Sequence, residues 1–173
     1  MGIQNGKGLS LSAGERKFCG IPFRINAGAI GIRGSQGEDF PRSVSIPVNR
    51  AFRKLYFLHT ASFDSGDGST SLVYLIHCRG GKVFRFPIIS GRGIGDWWTP
   101  RQLPDAKMSS DVCCGNHPVG LYVVEWNNQH DRSEMAAIAA EQLNYHFIEC
   151  IEILSGENRG VCALIAVTGE EPL

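Results

Sequence analysis

The chain predicts an all-β fold, an antiparallel β-sandwich or jelly roll, on three observations. Short apolar runs alternate at period two or are rich in β-branched residues, twenty-one glycines and eight prolines punctuate them, and no strand–helix–strand rhythm links them. The 173 residues fit one domain with enough interior to fold without crosslinks. Residues 15–173 are expected to form that domain, behind a flexible segment at 1–14.

Taken in order, KFCGIPFRI (17–25) reads as one strand interrupted at Gly20, Ile21 and Pro22, which suits an edge or a bulge. AIGIR (29–33) and SVSIPV (43–48) alternate. KLYFLHTASF (54–63) and LVYLIHCR (72–79) flank DSGDGSTS, whose turn formers suggest a hairpin loop. KVFRFPI (82–88) follows the Gly80-Gly81 turn, and the pattern is then weak from 90 to 117. GLYVVEW (120–126), HFIECIEIL (146–154) and VCALIAVT (161–168) again read as strands. One segment breaks the β pattern: Ser133 caps EMAAIAAEQL, so a short inserted helix is expected over 134–143.

Seventeen basic residues balance seventeen acidic ones, which argues against nucleic acid as a partner. No apolar run approaches the roughly 18 residues of a membrane helix, so no membrane partner is expected either. The opening MGIQNGKGLSLSAGER has no apolar core of the secretory type; the alternatives are a protein that stays in the cytoplasm and a piece of a longer exported chain, extracellular or periplasmic, and the second is the expectation. Six cysteines lie at 19, 78, 113, 114, 150 and 162, with no Cys-x-x-Cys pair to suggest zinc. Cys78, Cys150 and Cys162 sit in strand text and read as small buried hydrophobes, while an even count leaves disulfides open.

GIPFRI, IPVNRAFRKLYFLHTASF, VYLIHCRGGKVFRFPIISGRGIGDWW, VGLYVVEW and the pair IECIEILSG and ALIAVTG together resemble the jelly-roll, galactose-binding-like modules found beside glycoside hydrolases and in large exported bacterial proteins. The resemblance covers residues 15–169. It implies a two-sheet sandwich, a non-catalytic role, carbohydrate (a polysaccharide or oligosaccharide) as ligand, and other domains of a larger chain as neighbours. Where such modules pass quickly on from the YVVEW strand, this chain inserts NNQHDRSEMAAIAAEQLNY, which can reshape or cover a nearby face.

Sugar rings lay polarised C–H groups on aromatic faces, while carboxylates, amides and arginine take the hydroxyls. Trp97, Trp98, Asp96, Arg92 and Arg101 supply those groups within ten residues and are the leading ligand-binding candidates. The competing reading has one indole plugging the end of the sandwich, the other covering its rim and Asp96 capping a turn. Trp126 and Asn127, followed by Asn128, Gln129 and His130, form a second candidate group, or a polar turn leaving a sheet. No cofactor is expected. The weak exception is a structural calcium ion on Asp64 and Asp67, against a plain turn, since calcium wants six to eight oxygens.

His59 and His77 read as satisfied core or interface residues. A thiol enzyme would need His77 with Cys78, which point apart on a strand, or His117 with Cys113 or Cys114. A glycoside hydrolase would need paired carboxylates from among Asp96, Glu125, Glu149 and Glu152, and the last two differ in strand parity. The reading is therefore a carbohydrate-binding module and not an enzyme; the alternatives are a structural or protein-interaction sandwich without a small ligand and, remotely, a hydrolase.

Overall fold

A computed structural model describes residues 11–26, 28–109, 111–128, 145–156 and 158–172. The chain is a β-sandwich, and the described residues contain no helix; the helix expected over 134–143 lies outside them. Among the described residues thirteen strands run in chain order as β1 (Gly14–Phe18), β2 (Ile21–Ile25), β3 (Ile30–Ile32), β4 (Ser43–Ala51), β5 (Lys54–Ser62), β6 (Thr70–Cys78), β7 (Val83–Ile89), β8 (Lys107–Ser109), β9 (Cys113–Cys114), β10 (His117–Pro118), β11 (Leu121–Asn127), β12 (Phe147–Ser155) and β13 (Val161–Glu170). One sheet has the order β3-β13-β5-β11-β8 and the other β4-β12-β6-β7, every pairing antiparallel.

Alternation decides what each strand buries. On β6, Leu72, Tyr74, Ile76 and Cys78 face inward, where they meet Leu55, Phe57 and Ala61 of β5 and Val124 and Trp126 of β11 in the core between the sheets. The outer face of the five-stranded sheet is also covered. There Leu58, Leu121, Val123 and Ile165 pack under Phe18, Phe23 and Ile25 of the β1–β2 hairpin. The opposite outer face, on the four-stranded sheet, carries rows set by register: Pro47, Cys150, His77, Val83, then Ser45, Glu152, Leu75, Arg85, then Ser43, Leu154, Val73, Pro87. None of these twelve residues is a phenylalanine, tyrosine or tryptophan.

Several sequence expectations are corrected here. KFCGIPFRI is not one broken strand: Cys19 and Gly20 both adopt positive φ, 52° and 83°, giving the two-residue turn whose twist suits a hairpin, so β1 and β2 pair with each other. DSGDGSTS is not a hairpin loop, because β5 and β6 belong to different sheets and the segment arches between them. Gly80 and Gly81, at φ 87° and 82°, do form the β6–β7 hairpin. No two of the six cysteines are joined in a disulfide. Cys78 and Cys162 are buried, with thiol pKa values pushed up to about 11 and about 12 by desolvation, whereas Cys150 is partly exposed. No helix of the described residues is long and apolar enough to cross a membrane.

Candidate functional site

The loops after β3, β5, β7 and β12 gather at one end of the sandwich, and Asp96 organises the part that holds the tryptophans. After β7 the chain doubles back on β5: Ala61 N–H donates to Gly95 O at 3.1 Å and Trp97 N–H to Ala61 O at 2.8 Å. Gly120 N–H, at the mouth of β11, then donates to Trp97 O at 2.8 Å. Backbone pinned on both sides fixes the two indoles to opposite environments. Trp97 packs partly buried against the outer cluster under the β1–β2 hairpin, while Trp98 remains 46% exposed.

Trp98 is nonetheless ordered. His117 stacks on it with ring centroids 3.9 Å apart and planes 19° from parallel, and His117 Nε2 lies 2.7 Å from Trp98 O. Since a carbonyl only accepts, that nitrogen carries the hydrogen. Trp97 meets Trp98 edge-on at 5.2 Å.

Asp96 joins this indole to a residue that sequence reasoning missed. Its Oδ1 accepts from Trp98 N–H at 2.8 Å and Thr99 N–H at 3.3 Å, and its Oδ2 accepts from Phe63 N–H at 2.8 Å. Phe63 is 55% exposed and sits at φ 61°, a left-handed conformation that costs a bulky residue about 1–2 kcal/mol. One carboxylate thus positions the backbone of two exposed aromatics. Asp96→Ala is expected to lower stability by about 2 kcal/mol, because three N–H groups lose a charged acceptor, and to red-shift tryptophan emission as Trp98 loosens. Urea denaturation followed by fluorescence checks both; an unchanged midpoint would assign the carboxylate no such role.

The other candidates separate. Arg101 is half-exposed, with Nη2 4.0 Å from Asp64 Oδ2. It lies so close over Gly66 that a Cβ there would run into the guanidinium. Arg92 is engaged by Asp105 in a two-pronged ion pair at 2.7 and 3.1 Å. Trp126 is corrected: it is 9% exposed and packs edge-on against Phe84 in the core, at 5.5 Å. Its position on β11 shares parity with Tyr122 and Val124, which face inward. Asn127 stands on the outer face, hydrogen-bonded to Glu125, at the far end of β11 from the Trp97 contact. Seven steps of about 3.3 Å put its backbone about 23 Å along the chain from Gly120, where the Trp97 contact lies, so Trp126 and Asn127 do not belong to the site of the indole pair.

Asp64 and Asp67 point to separate partners. Asp67 accepts from Ser65 O–H at 2.6 Å and Ser69 N–H at 2.9 Å, bonds that hold its carboxyl down at about 2. Asp64 is turned inward and wholly buried as a side chain. Its Oδ1 accepts from Ser90 O–H at 2.6 Å, Oδ2 has no hydrogen-bond partner, and burial raises its pKa. Among the described residues no three histidine, cysteine or carboxylate side chains are grouped to hold a metal ion.

His59 is a satisfied core histidine, with Nδ1 2.9 Å from Tyr74 OH and Nε2 2.9 Å from Gly93 O. His77 pairs across strands with Glu152 at 3.2 Å and Glu125 with Lys54 at 2.7 Å. The parity argument against Glu149 and Glu152 assumed a regular strand. A register shift between Ile148 and Cys150 breaks that regularity, and both glutamates reach solvent to some degree.

Comparison of the chain with protein-family models, with curated proteins and with solved structures finds no match.

Proposed function

We propose that this chain is a non-catalytic carbohydrate-binding module that takes a polysaccharide or oligosaccharide at the loop end of the sandwich. The observation that carries the reading is Trp98: an indole 46% exposed yet held by His117 behind it and Asp96 beneath its backbone. An ordered, open aromatic face is what a pyranose ring stacks on, and pre-ordering removes part of the entropy cost of binding. Phe63 adds a second exposed ring tied to the same carboxylate, and Arg101 offers charged donors to hydroxyls. The three register rows on the outer face of the four-stranded sheet carry no phenylalanine, tyrosine or tryptophan, which favours the end loops over the sheet.

The strand order supports the jelly-roll form of the sandwich, because successive strands alternate between the sheets: β3, β4, β5 and β6 change sheet at each step, as do β11, β12 and β13. With the galactose-binding-like resemblance, it supports reading the chain as an exported bacterial accessory domain of a larger protein, in which weak single-site affinity would be raised by linkage to other modules.

A fluorescence titration with a panel of plant and algal polysaccharides tests the reading. Trp98→Ala is expected to weaken binding about tenfold or more, ~1.4 kcal/mol, with little change in melting temperature, whereas Trp97→Ala lowers the melting temperature. A Trp98→Ala protein that binds unchanged, or a chain that answers no polysaccharide, would overturn it. A second reading, a structural or interaction domain without a small ligand, is favoured by the engagement of Arg92 with Asp105 and of Asp96 with backbone N–H groups. The same titration separates the two.

A further inference from the structure

The same end of the sandwich holds a cleft of about 590 Å³ between the β3–β4 loop and the end of β12, lined by Arg33, Glu38, Arg42, Ser43, Leu154 and Ser155 among others. Two arginines nine residues apart are brought together there by a single serine. Ser155 Oγ–H donates to Arg33 O at 2.7 Å, and Ser155 N–H donates to Arg42 O at 2.8 Å. Arg33 N–H closes the loop on Pro41 O at 2.9 Å. These bonds engage the arginine backbones, and both residues line the cleft. Among the described residues neither side chain has a carboxylate within ion-pair distance; Glu38 lines the same cleft without pairing.

The carboxylates around Phe63 and Trp98 are differently placed. Asp96 and Asp67 are taken up by N–H and O–H groups of their own loops, and Asp64 is buried. Two unpaired arginines lining one cleft offer two forks of donors, and a planar carboxylate can accept from such forks. The cleft also adjoins the aromatic site through packed backbone. Gly34 sits so close to Gly160 that a Cβ would meet its carbonyl, and Gly160 in turn packs on Ser62 and Asp64, the neighbours of Phe63.

We infer that the Arg33–Arg42 cleft binds the carboxylate of an acidic sugar, so that the glycan recognised at this end of the sandwich carries uronic acid residues. The inference rests on the carbohydrate-binding reading and specifies the substrate class of that end. The neutral part of the chain stacks on Trp98 and Phe63 while a uronate carboxylate reaches the two guanidinium groups. Binding then weakens as ionic strength rises, since these are partly exposed charges.

Isothermal titration with oligogalacturonate, with the same oligosaccharide after carboxyl reduction, and with a sulfated neutral oligosaccharide tests it. Oligogalacturonate is expected to bind most tightly. Arg33→Ala and Arg42→Ala should each weaken it about tenfold, the scale of a lost hydrogen bond to a charged group, and leave the reduced form unaffected. Arg42→Lys should recover only part of the loss, because a point charge replaces a fork; Glu38→Gln should tighten binding. Both alanine variants keep the backbone bonds to Ser155, so an unchanged melting temperature accompanies the loss. Equal affinity for the acidic and reduced forms, or stronger binding of the sulfated one, overturns the uronate assignment while leaving the carbohydrate reading standing. Absence of binding to all three, with a silent polysaccharide panel, removes both.

Discussion

Tyr74→Ala is expected to remove most of the stability of this domain. The ring is fully buried and bridges the two sheets, stacked on Phe57 of the opposing sheet at 4.0 Å and 20° and tilted against Phe86 at 6.3 Å. Truncation of so large a side chain leaves a void that two rigid sheets cannot close, which costs about 3–5 kcal/mol. It also strips His59 Nδ1 of the hydroxyl 2.9 Å away, and a buried polar atom without a partner costs about 1–3 kcal/mol more. Against the roughly 5–15 kcal/mol that holds a domain together, that is a majority share. Tyr74→Phe separates the two contributions, since it keeps the ring and loses only the hydrogen bond; about 1–3 kcal/mol is expected from urea midpoints. Equal losses for the two variants would mean that packing across the sheets contributes little.

The strands around Tyr74 were legible because burial follows a period of two: LVYLIHC places Leu72, Tyr74, Ile76 and Cys78 on one face, and all four are in the core. What failed was whatever depends on the partner strand. Turn formers such as DSGDGS have the same chemistry whether the chain returns within its sheet or crosses to the other, so the arch from β5 to β6 read as a hairpin. A β-bulge adds a residue only relative to its neighbours, which is why the facing of Glu149 could not be counted from the sequence of β12. Trp126 was readable and misread: it shares parity with Tyr122 and Val124, but the amides after it drew attention to the strand end. At the candidate site the residue types were visible and their allegiance was not. Which of Trp97 and Trp98 faces out is set by bonds to Ala61 and Gly120, far apart in the chain. Phe63 gave no signal beyond an aromatic standing at the brink of a turn, because its exposure comes from a left-handed backbone held by Asp96.

Acid is expected to weaken the fold before any carboxylate reaches its ordinary titration range, and His59 is the cause. Its ring is completely buried and its two nitrogens are bonded to Tyr74 OH and Gly93 O. Because Gly93 O only accepts, Nε2 carries the hydrogen, and Nδ1 accepts from the tyrosine; the ring is full as a neutral group. Burial lowers its pKa from 6.5 to about 4. Between those values the unfolded chain binds a proton that the folded chain refuses. The contribution is therefore whole above pH 6.5 and drains away as pH falls toward 4, to a total of roughly 3 kcal/mol. Asp64 works in the opposite direction: burial raises its carboxyl, so the folded chain takes up that proton earlier than the unfolded one and part of the loss is offset. Urea midpoints at pH 7, 5.5 and 4 should fall steadily in the native sequence. In His59→Gln, which keeps hydrogen-bonding capacity without titrating, the slope should flatten, with Asp64 opposing the small loss that Asp67 and Glu125, both lowered, begin to add near pH 4; in Asp64→Asn it should steepen. A native-like slope surviving in His59→Gln would place the acid sensitivity elsewhere in the sandwich.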